Sequence, residues 1–138
     1  MTGDIGSAEI PWRQAFPHPE WNDPGDAVVW IDVLAFDAAW RETDQWISPG
    51  GKTGAQDRRY RLIGEWIAAG NVVNMCEIAI DEDGVSFTNG RHRFAWLRDR
   101  GVRAMPVQVA PESAASFEAR FGTPLRLSRF PTADRAVE

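Results

Sequence analysis

The residues with the most chemical potential in this chain lie together in Asn89-Gly90-Arg91-His92-Arg93. They follow Val85-Ser-Phe-Thr88, a short alternating strand signal, and open a helix that runs to about Arg100 and stops at Gly101. Arg91, His92 and Arg93 therefore sit at the positive end of a helix dipole, where a bare cation is worse off by roughly 0.3–1 kcal/mol. No acidic residue in the first turn offsets them. A helix start that leaves backbone N–H groups free and gathers Arg and His is suited to an anion, phosphate above all. Gly90 lets the backbone approach such an anion closely. Arg91 and Arg93 can fork onto its oxygens, and His92 can donate a further hydrogen bond. Arg58 and Arg59, at the start of the preceding helix, would form a second wall of the pocket. If the site turns anything over, Arg91, His92 and Arg93 are the catalytic candidates, with arginine stabilising charge that develops on a phosphoryl group. The competing reading is structural: a helix start whose arginines pair with surface acids.

Other candidates carry less. Gly50-Gly51-Lys52-Thr53 lacks the earlier glycine of a P-loop, a position taken by Trp46, and it follows a helix signal where a P-loop follows a strand. Lys52 could still swing onto a phosphate held elsewhere. Cys76, the one cysteine, lies in an apolar strand and reads as an inert core thiol. His18, between Pro17 and Pro19, reads as a surface residue. Asp81-Glu82-Asp83 could meet a divalent metal, but an acidic hairpin turn is more often solvated, and the spacing is not that of a calcium loop. The sequence assigns no metal ligands.

The elements that must position these residues follow from periodicity. Residues 1–26, rich in Pro and Gly, read as an arm without regular structure that packs onto the body, with Trp12 and Trp21 as docking anchors. Residues 27–131 read as one domain and 132–138 as a frayed tail. Val28–Leu34 is a strand. Asp37 caps a helix through about Trp46. Ser48–Gly54 is a loop. A helix from Gln56 to Ala69 closes on Gly70, with Tyr60, Ile63, Trp66 and Ile67 on one face. Met75–Ile80 and Val85–Thr88 form a hairpin. Val102–Val109 is a strand that Pro106 assigns to a sheet edge, and Ser113 caps a helix to Phe121. The order β-α-α-β-β-α-β-α is an α+β fold around a small mixed sheet.

Composition sets the outer limits. The chain has 138 residues, enough for one domain, and no apolar run long enough to span a membrane. A single cysteine and an N-terminus without signal-peptide character point to the cytoplasm. A net charge of −5 argues against coating DNA through global charge. Fourteen of the fifteen basic residues are arginine, and they cluster at 58–61 and 91–103. A GC-rich genome accounts for the ratio, not for the clustering. The seven tryptophans are irregularly spaced, which implies core packing and no repeat.

The strand, the Gly-Arg-His-Arg helix start and the following Arg-Asp-Arg-Gly-Val-Arg-Ala-Met-Pro-Val resemble the core of the ParB/sulfiredoxin fold, from about Gln56 to Val109. Val29-Trp-Ile-Asp-Val33, Arg59-Tyr60 and Phe87 through Asp99 together look like the plasmid fertility inhibition factor family, over about residues 28–122. The resemblance implies nucleotide binding, with ATP or another nucleotide and Mg²⁺ as cofactor. It also implies ATPase or DNase activity in some members and a setting of interference with conjugative DNA transfer. His92 and Arg93 match the residues that contact nucleotide phosphates in sulfiredoxins. In sulfiredoxins a catalytic cysteine precedes that histidine; Arg91 stands there, so sulfiredoxin chemistry is excluded for want of a thiolate. The chain ends before the helix-turn-helix domain that follows the box in ParB proteins. Two functions remain open: a nucleotide- or DNA-phosphate binder that hydrolyses its ligand, and a non-enzymatic immunity or inhibitor module that offers the same Arg-rich cleft to a conjugation-system or toxin protein.

Overall fold

A computed structural model describes residues 7–14, 26–51, 57–81 and 84–131. His18, Trp21, Lys52, Glu82, Asp83 and the tail lie outside them. The elements are β1 (Ser7–Glu9), β2 (Trp12–Arg13), β3 (Ala27–Asp32), α1 (Val33–Trp40), α2 (Asp57–Ala68), β4 (Val73–Asn74), β5 (Cys76–Asp81), β6 (Gly84–Asn89), α3 (Arg91–Asp99), β7 (Ala104–Val109), a 3-10 turn (Pro111–Ser113), α4 (Ala114–Phe121) and β8 (Arg129–Pro131). The fold is α+β. A four-stranded mixed sheet has the order β3-β7-β5-β6, with β3/β7 and β5/β6 antiparallel and β7/β5 parallel.

Four local expectations are corrected. The first helix begins at Val33, not after Asp37: Asp32 ends β3 and its Oδ1 accepts from the Ala35 N–H at 3.0 Å. Val33, Phe36 and Trp40 then fall on one buried face, whereas Asp37 points the other way, to Trp46 and Arg98. The helix ends at Trp40, where Thr43 turns back to donate to the Trp40 carbonyl.

Pro106 lies not on an edge but in β7, which is central and buried throughout. It faces Trp30 of β3, while β5 pairs only with Val107 and Gln108. The missing N–H therefore falls where β7 has a neighbour on one side alone. Trp66, placed by periodicity on the apolar face of α2, is 52% exposed, and Gly64 takes the buried position beside Ile67. The N-terminal arm is not wholly irregular. β1 pairs antiparallel with β8, β2 pairs parallel with β4, and Ile10 between them is buried. Trp12 acts as an anchor, its indole donating to the Ser128 hydroxyl at 3.0 Å.

One aromatic cluster holds the site-bearing elements together. Phe36 of α1 packs against Phe87 (β6), Phe94 (α3), Phe117 and Phe121 (α4), with ring centroids 5.3–6.0 Å apart. Such pairs contribute about 0.5–1.5 kcal/mol each beyond their area burial. Phe87 and Phe94 bracket the strand-to-helix junction at 5.4 Å, so the junction is clamped from both sides.

Candidate anion-binding site

The junction is built on Gly90. Its φ of 99° is left-handed, and a Cβ there would stand 2.7 Å from Arg93 Nη1 and 2.9 Å from Cys76 Sγ. Only glycine meets both demands. As the N-cap of α3 it offers no side chain to the first-turn N–H groups, and that turn holds no acid. Phe94 is the first residue whose N–H closes back, to the Gly90 carbonyl at 2.9 Å. The start of α3 thus keeps the partial positive charge that a Ser or Asp cap would have reduced.

The three box side chains do different work. Arg91 and His92 are half-buried at the mouth of the helix. His92 is held below the ordinary histidine value of about 6.5 by partial burial first, then by the charges of Arg91 and Arg59. Arg59 lies on α2, which packs against α3, and its charge is among the causes that lower His92. Arg58 is exposed one residue along the helix. Arg93 turns inward: Nη1 donates to the Asn74 carbonyl at 3.0 Å and the Met75 carbonyl at 3.4 Å, fastening α3 to the strand below. Asn89 donates from Nδ2 to Glu77 Oε2 across β5/β6 at 3.3 Å. The expected set therefore divides into residues at the mouth of the helix (Gly90, Arg91, His92) and braces (Asn89, Arg93).

Cys76 lies directly under the junction. It is fully buried, its Sγ is 3.4 Å from the Gly90 carbonyl, and burial pushes its thiol up to about 11, against the opposing pull of Arg93. That is an inert, protonated thiol, as the sequence suggested.

A polar network escaped the sequence reading. Arg98, with a side chain only 6% exposed, donates from Nη1 to Asp37 at 3.0 Å and from Nε to Asp99 at 2.9 Å. The other oxygen of Asp99 accepts from the Tyr60 hydroxyl at 2.7 Å and the Gly50 N–H at 2.9 Å. Burial and this bond to Asp99 raise the Tyr60 hydroxyl above its ordinary value. Trp46 donates to Asp37 at 3.1 Å. The network locks α1, the 46–50 loop and α2 onto α3. A signal existed: Arg98 stands four residues after Phe94 and next to Leu97, on the buried side of the helix.

The donor set of backbone N–H groups, Arg91, His92 and Arg59 fits the phosphates of a nucleotide. It does not fit a resident metal ion. Among the described residues no group of three or more His, Cys, Asp or Glu could hold one. Nor, among them, is any helix long and apolar enough to cross a membrane.

Fold and site define an α+β protein with an arginine-rich strand-to-helix junction. In its fold it is similar to an oncogenic suppression activity protein, a plasmid fertility inhibition factor whose crystal structure was solved as a gold(I) cyanide derivative. The TM-score is 0.60 at 23% identity, over 83% of this chain and 67% of that one. The family model for the plasmid fertility inhibition factor matches residues 28–122. The chain belongs to the plasmid fertility inhibition factor family. No curated protein matches it significantly.

Proposed function

We propose that this protein binds the phosphate of a nucleotide or nucleic acid at the start of α3, and through that ligand interferes with conjugative DNA transfer. One observation carries the reading. An uncapped helix start, free of acids, carries Arg91 and His92, and the charge of Arg59 on the neighbouring α2 is felt at His92. Each feature alone is unfavourable in the free protein, and an anion relieves all of them together. The same strand, glycine and Arg-His helix start supports the likeness to the ParB/sulfiredoxin fold. ATP with Mg²⁺, or DNA, is the ligand class, with the metal carried by the phosphates. Hydrolysis of the ligand is the finer part of the proposal. Arg91 would meet charge developing on a phosphoryl oxygen, and His92, neutral near pH 7, can accept or relay a proton.

Calorimetry with ATP, CTP and a short single-stranded DNA tests this. Arg91→Ala and Arg59→Ala are expected to weaken binding by about tenfold each, the worth of one charge-assisted contact. Arg93→Ala is unsuited to the test, because it also frees the Asn74 and Met75 carbonyls. If none of the three ligands binds the wild type, the phosphate reading fails, and the cleft serves a protein partner instead. Binding without Mg²⁺-dependent turnover removes hydrolysis alone.

A further inference from the structure

Beside the box, on the α2 side, lies an open cavity of about 230 Å³ lined by Arg13, Ile63, Trp66, Val72, Asn74 and Arg93. It is smaller than the roughly 300–1,000 Å³ that encloses a drug-sized ligand, so it suits one flat group and not a whole molecule. Trp66 is the unusual member. A tryptophan 52% exposed, with Val72 (44%) and Leu62 (45%) exposed near it, leaves apolar area in water that folding elsewhere buried. Nor is the ring loose. Its Nε1 donates to the Val72 carbonyl at 3.2 Å, and Asn71 Nδ2 donates to the Trp66 carbonyl at 3.0 Å. The indole is thus held in place while much of it remains accessible.

The cations are placed to match. Arg13, exposed on β2, is oriented by a bond from Nε to Asn74 Oδ1 at 2.8 Å, which leaves its terminal nitrogens to a ligand. Arg93 lines the cavity and is next in sequence to His92 of the box. Arg59, Ile63 and Trp66 are spaced four and three residues apart along α2, so they form one stripe about 10 Å long from the box to the ring. A fixed aromatic face flanked by guanidinium groups, continuous with a phosphate site, is the arrangement that binds unstacked bases. An apolar protein segment would have no use for Arg13 and Arg93 at the rim. A duplex would not present a free base face.

We infer that Trp66 is a stacking platform for the unpaired base of the nucleotide whose phosphate, or whose neighbour's phosphate, is held at Arg91 and Arg59. The inference rests on the phosphate reading above and extends it to the base. Arg13 supplies a second backbone contact, and the preference is for unpaired over paired nucleic acid.

Fluorescence anisotropy compares a short oligothymidine, an abasic sugar-phosphate oligomer of equal length and the corresponding duplex, on wild type, Trp66→Ala and Trp66→Phe. The wild type should bind oligothymidine most tightly. Trp66→Ala should lose roughly 5- to 150-fold for it, the range for one stacked base, with abasic binding unchanged. Trp66→Phe, which keeps a ring but not the bond to Val72, should retain most of the preference. Calorimetry with ATP identifies the source: a loss for ATP in Trp66→Ala assigns the platform to a free nucleotide as well, and a loss for the oligomer alone assigns it to a strand. If abasic and base-bearing oligomers bind equally and Trp66→Ala changes neither, the platform is refuted while the phosphate site stands. Equal loss for both oligomers would mark Trp66 as structural and also refute it. If neither the oligothymidine nor the abasic oligomer binds, the phosphate site is refuted, and the platform with it.

Discussion

In the proposed phosphate site, His92 is the residue expected to couple occupancy to protons. Its folded pKa lies below the ordinary value of about 6.5, from partial burial and from the charges of Arg91 and Arg59. The sign follows directly. A depressed histidine is less protonated in the folded than in the unfolded chain between those two values, so its stabilising share is fully present above about pH 6.5. That share is lost as pH falls through the folded value. A bound anion reverses the local field and draws the pKa back up, so binding takes up a proton. Affinity for an oligonucleotide, whose diester phosphates do not titrate here, should rise as pH falls from 7 toward 5.5, and His92→Gln should flatten the rise. An unchanged slope in the variant would move the coupling to another group. At this scale the sequence was informative about local placement and less so about what each side chain does. Gly90, Arg91 and His92 lie at the strand-to-helix junction that their types and order implied. Arg93 has the same charge and nearly the same position, yet is committed to two carbonyls from a strand almost twenty residues earlier. Nothing local in the chain distinguishes the two arginines.

Among elements, the pairing of α2 with α3 decides whether the site has a second wall. Gly64 of α2 lies against Trp96 of α3. A Cβ there would land inside the Trp96 indole. Gly64→Ala should therefore force the helices apart and destabilise the protein by about 1–3 kcal/mol, as overpacking does. Urea denaturation reads the loss, and affinity at the box should drop with it, because Arg59 retreats from His92. A variant as stable as the wild type would mean that the indole moves aside freely. β3 and β6 were legible because each buries alternate residues, 29 and 31 in one and 85 and 87 in the other, whereas β7 and residues 94–98 of α3 are buried without a break. Errors arose where two residues of one type competed, as with Asp32 and Asp37 for the cap of α1. They also arose where partners were distant. β1, β2, β4 and β8 are two or three residues long and owe their conformation to each other, so no window of sequence contains their cause. Trp66 was misplaced for the opposite reason: its spacing is that of a core residue, but Gly64 and Ile67 already fill that side.

For the molecule as a whole, the Arg98 network matters more than any single helix. It joins α1, α2, α3 and the 46–50 loop through two carboxylates whose side chains are 19% and 15% exposed. Arg98→Ala would leave both carboxylates enclosed without their cation, a change that costs about 3–5 kcal/mol in buried pairs. Against a total stability of about 5–15 kcal/mol for a domain, that is enough to lower the denaturation midpoint sharply. A loss under 1 kcal/mol by denaturant titration would show that the two acids are satisfied by Tyr60, Trp46 and Gly50 alone. The same network fastens the far end of α3: Arg98 is held there by Asp37 and Asp99, while Arg93 near its start is held by the Asn74 and Met75 carbonyls.

The place of β7 at the centre of the sheet has a consequence for how the chain reaches this state. β3 pairs with it in full register, Ala27 against Val109 through Asp32 against Ala104, so the first long strand finds its neighbour only after the intervening chain has been made and gathered in. By contrast β5, β6 and α3 are contiguous, linked by a hairpin and then the Gly90 junction, and can assemble through local contacts. Long-range pairing of this kind slows folding. The expected order of assembly is therefore box first, sheet second, with β3 pairing to β7 last; Gly90→Ala should then slow refolding, and Val29→Ala in β3 should mainly speed unfolding, both read by stopped-flow kinetics.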